Sequence, residues 1–307
     1  MTTPEENQMP DNAKSADKNN PASFSDYLKA VPQYLLPHHA LSKVMYKLTR
    51  SRNKIFKNWL IKYVVRNYQV DMSTAVDEDP TSYAYFNKFF TRALKPDARP
   101  ICANSKQIAC PVDGTVSQAG KIENGRIFQA KGRDYTLQEL LGGSEKWTHA
   151  FDQGEFATIY LSPRDYHRIH CPLDGKLKEM IHVPGRLFSV SPATTRVVPR
   201  LFARNERVIS IFDTESGPMA VILVGAIFVS SMDTVWAGTI TPPGGTKIRH
   251  WNYDDKPFSL KKGDELGRFN MGSTVIVLFA KDRINWVSET SPSNSVQMGQ
   301  VLASIND

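Results

Sequence analysis

Met271-Gly272-Ser273-Thr274-Val275-Ile276-Val277-Leu278-Phe279 joins a glycine–serine bond to an unbroken apolar run. An apolar run of this length, bounded by small and polar residues, predicts a buried strand. A Gly-Ser bond at the mouth of such a strand is a candidate for self-cleavage. Glycine tolerates the strained backbone that such a bond needs, and the serine hydroxyl is placed to attack the carbonyl just before it. Alone the signal is weak, because most Gly-Ser pairs are turns.

Outward from this stretch, short apolar runs recur at Phe156–Leu161, Val208–Phe212, Ala220–Val229 and Lys247–Trp251, punctuated by Gly and Pro, so the chain from about Pro100 is predicted to be β-rich. Ala220–Val229 is about half the length needed to span a bilayer and reads as a core strand, or as two strands broken at Gly225. Upstream the pattern turns helical. Leu41, Val44, Met45 and Leu48 fall on one helical face, and Phe56, Trp59, Leu60 and Tyr63 repeat the spacing. Asp79-Pro80 predicts the cap and first turn of a helix running through Phe90. The fold class expected is therefore α+β, a helical N-terminal segment on a β-rich domain. Residues 1–22, rich in Asn, Asp, Lys and Pro, read as a disordered tail. Residues 23–95 read as a helical membrane-association region and 96–307 as the catalytic domain.

The 307 residues can bury a full core, and 41% hydrophobic content excludes both a disordered chain and an integral membrane protein. Residues 1–20 lack the basic-then-apolar order of a secretory signal. Three cysteines, Cys102, Cys110 and Cys171, without CxxC spacing point to a reducing cytoplasm. The net charge of +7 is concentrated: nine Lys/Arg and no Asp or Glu lie between Tyr27 and Val70. Basic helices carrying Trp, Phe and Leu suit an anionic lipid surface. The plainer alternative is a helix packed on its own domain with a solvated charged face. Nucleic acid ranks lower, since no zinc finger or recognition-helix signature accompanies the charge.

Two further motifs give the Gly-Ser bond its weight: Cys110-Pro-Val-Asp-Gly-Thr-Val116 and Leu161-Ser-Pro-Arg-Asp-Tyr-His-Arg-Ile-His-Cys-Pro172. Together with Met271-Gly-Ser-Thr274, and with Tyr34-Leu-Leu-Pro-His-His39, Phe86–Pro96, Leu201–Val208 and Trp236–Pro242, they resemble phosphatidylserine decarboxylase of the bacterial, membrane-associated, pyruvoyl-dependent type. The resemblance runs from about Ser25 to the C-terminus, with Met271 where Leu is usual.

The resemblance implies self-cleavage between Gly272 and Ser273 into a large chain, 1–272, and a small chain, 273–307. It assigns Asp113 as the carboxylate orienting the base, His170 as the base, and Ser273 as the serine converted to a pyruvoyl group. His167 would serve the decarboxylation itself, as proton donor. The pyruvoyl carbonyl would form a Schiff base with the serine head group of phosphatidylserine and act as electron sink, giving phosphatidylethanolamine with no added cofactor and no metal. The resemblance further implies an anionic membrane surface as partner, a peripheral place on the cytoplasmic face of the cell membrane, and a homodimer.

Each residue has a plainer reading. Asp113 and Asp174 share the form Cys-Pro-apolar-Asp-Gly, ordinary turn chemistry that suggests two related hairpins, and only the resemblance selects Asp113. His167 and His170 have a spacing also found in metal sites, without a third clustered ligand. A serine hydrolase using Asp113, His170 and Ser273 is the nearest enzymatic alternative, although the G-x-S-x-G elbow is missing. A non-catalytic membrane-binding protein would explain the basic helices and leave those three residues idle. Both alternatives predict an uncut chain.

Overall fold

The Ser273–Phe279 strand is buried at all seven positions and lies inside the largest sheet, between Glu155–Leu161 and Gly217–Val224. Continuous apolar character is what a strand flanked on both sides and covered on both faces requires. The computed structural model describes residues 21–228, 231–241, 245–270 and 273–306. Within it, the sheet runs in the order Arg249–Asn252, Gly175–Val183, Arg207–Thr214, Gly217–Val224, Ser273–Phe279, Glu155–Leu161, Gly114–Lys121, Ser295–Val296, and Phe258–Leu260 also pairs with Gly175–Val183. A smaller sheet orders Gly238–Thr241, Met232–Thr234, Glu265–Phe269 and Arg168–His170. The architecture is α+β, with a β-rich body and helices concentrated at the N-terminal end.

The Ala220–Val229 run forms a strand only as far as Val224. At Gly225 the backbone leaves the sheet, its N–H donating to the Glu206 carbonyl at 2.8 Å and its carbonyl accepting from Asn205 Nδ2 at 2.9 Å. The predicted helix from Asp79 is also shorter than expected. Asp79 accepts from the Thr81 N–H and hydroxyl at 2.8 Å each, closing a local turn, and the helix spans only Phe86–Phe90.

The two Cys-Pro-apolar-Asp-Gly stretches are not hairpins. Each leads into a strand, Gly114–Lys121 or Gly175–Val183, and the two interlock reciprocally. Ala109 N–H donates to the Pro172 carbonyl at 3.0 Å, and His170 N–H to the Pro111 carbonyl at 2.9 Å. Each cysteine is clasped by its own glycine turn: Gly299 N–H donates to Cys110 O, and Gly263 N–H to Cys171 O, both at 2.9 Å. Both glycines have φ near +90°, and a Cβ at Gly299 would lie 2.5 Å from the Pro100 carbonyl, so a side chain is excluded there. The residue before each glycine donates its N–H to the motif's aspartate, Met298 to Asp113 and Lys262 to Asp174, at 2.8 Å in both. The sequence echo is thus a local two-fold repeat around one junction.

Of the N-terminal helices, Phe24–Ala30, His38–Leu48 and Lys54–Tyr68, the first two and the turn between them bond to the body by polar contacts. Asp26 is bonded twice to Arg196 at 2.9 Å, which holds its carboxyl down at about 2. Gln33 accepts the Ser189 N–H at 2.8 Å, and His38 Nδ1 accepts the Leu187 N–H at 3.2 Å. Lys57, Ile61 and Val64 are the buried face of the third helix, with Phe86, Phe89 and Phe90 completing a satellite core. The Phe56-Trp59-Leu60-Tyr63 stripe lies on other faces of that helix, with Trp59 60% exposed and Ile55 84%. Fourteen of eighteen exposed large apolar side chains among the described residues fall between Phe24 and Val76, so the apolar surface is local, as the basic charge is. Among the described residues, no helix is long and apolar enough to cross a membrane.

Candidate active site

Burial separates the two aspartates that sequence alone leaves equivalent. Asp174 is largely exposed beside Lys261, whereas the Asp113 side chain is 9% exposed and gripped by Arg99. Arg99 Nε donates to both Asp113 oxygens at 2.9 and 3.1 Å, and Nη2 donates to Oδ2 at 2.6 Å. The pairing raises the Arg99 pKa above its ordinary value. With the Met298 N–H on Oδ1, the carboxylate is anchored from two distant parts of the chain.

His170 ends the Arg168–His170 strand. Its Nδ1 lies 2.7 Å from the Gly263 carbonyl, which can only accept, so Nδ1 carries the hydrogen. Nε2 is therefore a lone pair, and it takes the Tyr166 hydroxyl hydrogen at 3.0 Å. Burial lowers the His170 pKa, keeping the ring neutral, and pushes the Tyr166 hydroxyl up to about 12. His167 is fully buried and stacked on Phe90 with ring centroids 4.1 Å apart. Its Nε2 donates to the Ser162 carbonyl at 3.0 Å, leaving Nδ1 bare. Burial first, then the charge of Arg92, brings its pKa down to about 3.

Ser273 opens the central strand opposite Leu161, so it is one residue removed in register from Ser162, the partner of His167. Its Oγ is buried with no hydrogen-bond partner, as are Thr274 Oγ1, Ser162 Oγ and His167 Nδ1. Buried polar atoms are rarely left unpaired, and these four belong to the start of the central strand and the turn that follows its partner strand. Gly272 and Met271, the other side of the candidate bond, lie outside the described residues.

Asp113 and His170 share no hydrogen bond: Asp113 is held by Arg99 and Met298, and His170 by Gly263 and Tyr166. They are neighbours through the His170 N–H to Pro111 O bond, near enough for the carboxylate to raise the imidazole pKa against the lowering by burial. Sequence reasoning missed Arg99, Tyr166 and Arg92. Tyr166 and Arg92 lie inside recognisable motifs, but no spacing rule marks them. Arg99 acts across 14 residues of chain, a pairing that only folding reveals.

This site lies in a chain whose class is settled by comparison. The family model described as Phosphatidylserine decarboxylase matches residues 86–304, and a second, described as PSD, matches residues 28–69. A protein of Idiomarina loihiensis named phosphatidylserine decarboxylase proenzyme is 53% identical over 92% of this chain and 98% of its own length. Identically named proteins of Azotobacter vinelandii and Alkalilimnicola ehrlichii are 54% and 58% identical, over 91% and 84% of this chain and 98% and 90% of their own. The chain belongs to the phosphatidylserine decarboxylase family, a family of enzymes.

Proposed function

We propose that this chain is a proenzyme that cuts itself between Gly272 and Ser273 and then decarboxylates phosphatidylserine to phosphatidylethanolamine. The observation that carries the reading is Ser273 Oγ, buried and unpartnered at the first position of the central strand. A serine that served only packing would hydrogen-bond its hydroxyl or be replaced by alanine.

In self-cleavage, Ser273 Oγ attacks the Gly272 carbonyl as a neighbouring imidazole takes its proton. His170 is the base in this reading. Its Nε2 lone pair is fixed by the Nδ1–H bond to Gly263, and its low pKa keeps the ring neutral and able to accept. Tyr166 occupies Nε2, so the proton passes through that hydroxyl or the hydroxyl turns away. Asp113 steadies the imidazolium by charge, across the shared Pro111–His170 junction. The resulting ester eliminates, expelling the Gly272 carboxylate and leaving dehydroalanine at position 273, whose imine tautomer is hydrolysed by one water to the ketone and ammonia.

The environment of position 273 suits a small carbonyl group: the residue is fully buried, and its hydroxyl makes no hydrogen bond that would compete. A pyruvoyl group there would supply an electron sink for loss of CO2 from an amino acid head group. His167 handles the protons. Its bare Nδ1 is the atom through which it relays a proton to the carbon that has lost CO2.

The N-terminal helices support a peripheral site of action on the cytoplasmic face of the cell membrane, where an anionic lipid substrate resides. Nine cations and a band of exposed apolar side chains occupy the same segment, and the polar residues are the ones spent on docking to the body.

Intact mass under denaturing conditions tests the reading. Two chains are expected, the smaller beginning at position 273, blocked to sequencing and lighter than encoded by one ammonia, with Ser273→Ala staying whole. A single chain with an intact Ser273 in protein from its native membrane would reject it, leaving a hydrolase or a binding protein.

A further inference from the structure

Arg92 is 4% exposed and sits two residues beyond Phe90, the ring stacked on His167. Its Nη2 donates to the Arg164 carbonyl at 3.0 Å, within the turn that joins Ser162 to His167. Its Nε and Nη1 have no hydrogen-bond partner, and the guanidinium lies over the Phe89 ring, 5.8 Å from its centroid. Nearby acids are committed elsewhere: Asp113 to Arg99, and Asp165 to the Ser162 N–H at 2.6 Å. A guanidinium stays charged in proteins, and a buried cation without a counter-ion is costly to fold around. The fold keeps it beside His167, close enough for its charge to depress that imidazole.

Resting on the decarboxylase reading of the same site, we propose that Arg92 is a specificity-determining residue that binds the phosphodiester of the incoming lipid through its free Nε and Nη1. The substrate offers two anions, a carboxylate and a phosphodiester. A cation on the carboxylate would stabilise the ground state and lose its partner as CO2 departs, which slows the step. The phosphodiester keeps its charge throughout, so holding it costs nothing in the transition state. It also fixes the head group at one end while the amine meets position 273. Guanidinium is the side chain best matched to a phosphate oxygen pair in a dry site.

The test compares wild type, Arg92→Lys and Arg92→Gln on two amines, glycerophosphoserine and free serine. Each is trapped reductively onto the chain beginning at position 273 and read by mass. Decarboxylation of dioctanoyl phosphatidylserine is measured alongside. Wild type should trap the phosphodiester in preference. Arg92→Gln should lose that preference and roughly ten- to hundredfold of kcat/KM, mostly as KM, with Arg92→Lys between them. A preference unchanged in Arg92→Gln overturns the assignment while leaving the decarboxylase standing. Wild type that is uncut and traps neither amine overturns the decarboxylase itself. An Arg92→Gln chain that melts like wild type yet stays uncut would place Arg92 in self-cleavage and overturn the lipid assignment. Should Arg92→Gln not fold, Arg92→Lys decides, and an unaltered preference there refutes the proposal.

Discussion

At the scale of single residues, the site is organised by what burial does to charge. His167 is wholly enclosed, and its pKa of about 3 lies well below the ordinary 6.5. Between those values the unfolded chain binds a proton that the folded chain refuses. The contribution is therefore complete above about pH 6.5 and drains away as pH falls toward 3. Urea unfolding at about pH 7.5 and pH 5 should show wild type losing stability on acidification. His167→Gln should be less sensitive by roughly 2 kcal/mol. Equal losses in the two proteins would show that the imidazole is not held neutral. Asp113 illustrates a different arrangement, a buried carboxylate gripped by a guanidinium and a backbone N–H.

At the scale of elements, the N-terminal helices leave large apolar side chains on the surface. Asp26, Gln33 and His38 bond to the body and Ile61 and Val64 pack on the Phe86–Phe90 helix, while Leu28, Leu35, Ile55 and Trp59 face out. Leu35 is 90% exposed, so replacing it leaves the body's packing alone. Leu35→Glu and Trp59→Glu should each weaken binding to phosphatidylserine-containing vesicles on the order of tenfold with helix content unchanged, as read by flotation and circular dichroism. Binding that survives both substitutions would mean that another surface meets the lipid. Added salt should weaken the same binding, since the cations of this segment other than the buried Lys57 contribute through screened attraction.

At the scale of the whole molecule, residues 273–306 are woven through the fold. Beyond the central strand they supply Ile284–Trp286, Ser295–Val296 and Val301–Ile305, which pair with strands from the rest of the chain or with one another. They also supply the Met298 N–H that anchors Asp113. A cut before Ser273 removes one covalent bond and none of these contacts. The two pieces should therefore co-elute under native conditions and part only in denaturant, at the concentration where the fold itself melts. Separation in plain buffer would contradict the central position of the Ser273–Phe279 strand.

The sequence by itself determined the α+β class, the strand at 275–279 and the run of strands beyond Pro100, because uninterrupted or alternating apolar residues act locally on backbone preference. It also carried the motifs around Asp113, His167, His170 and Ser273. Other features were decided only when distant segments met. The Asp79 helix shrank because a side chain two residues from Thr81 closed its own turn first. The Trp59 stripe was legible, but the side of the helix facing the body depended on Lys57, Ile61 and Val64 meeting the Phe86–Phe90 helix. The repeated Cys-Pro-apolar-Asp-Gly was visible as an echo, whereas its interlocking, and with it the choice of Asp113 over Asp174, required Arg99 to reach one copy and Lys261 the other. Periodicity reports what a segment prefers; which face is covered, and which charge finds a partner, is set by long-range packing.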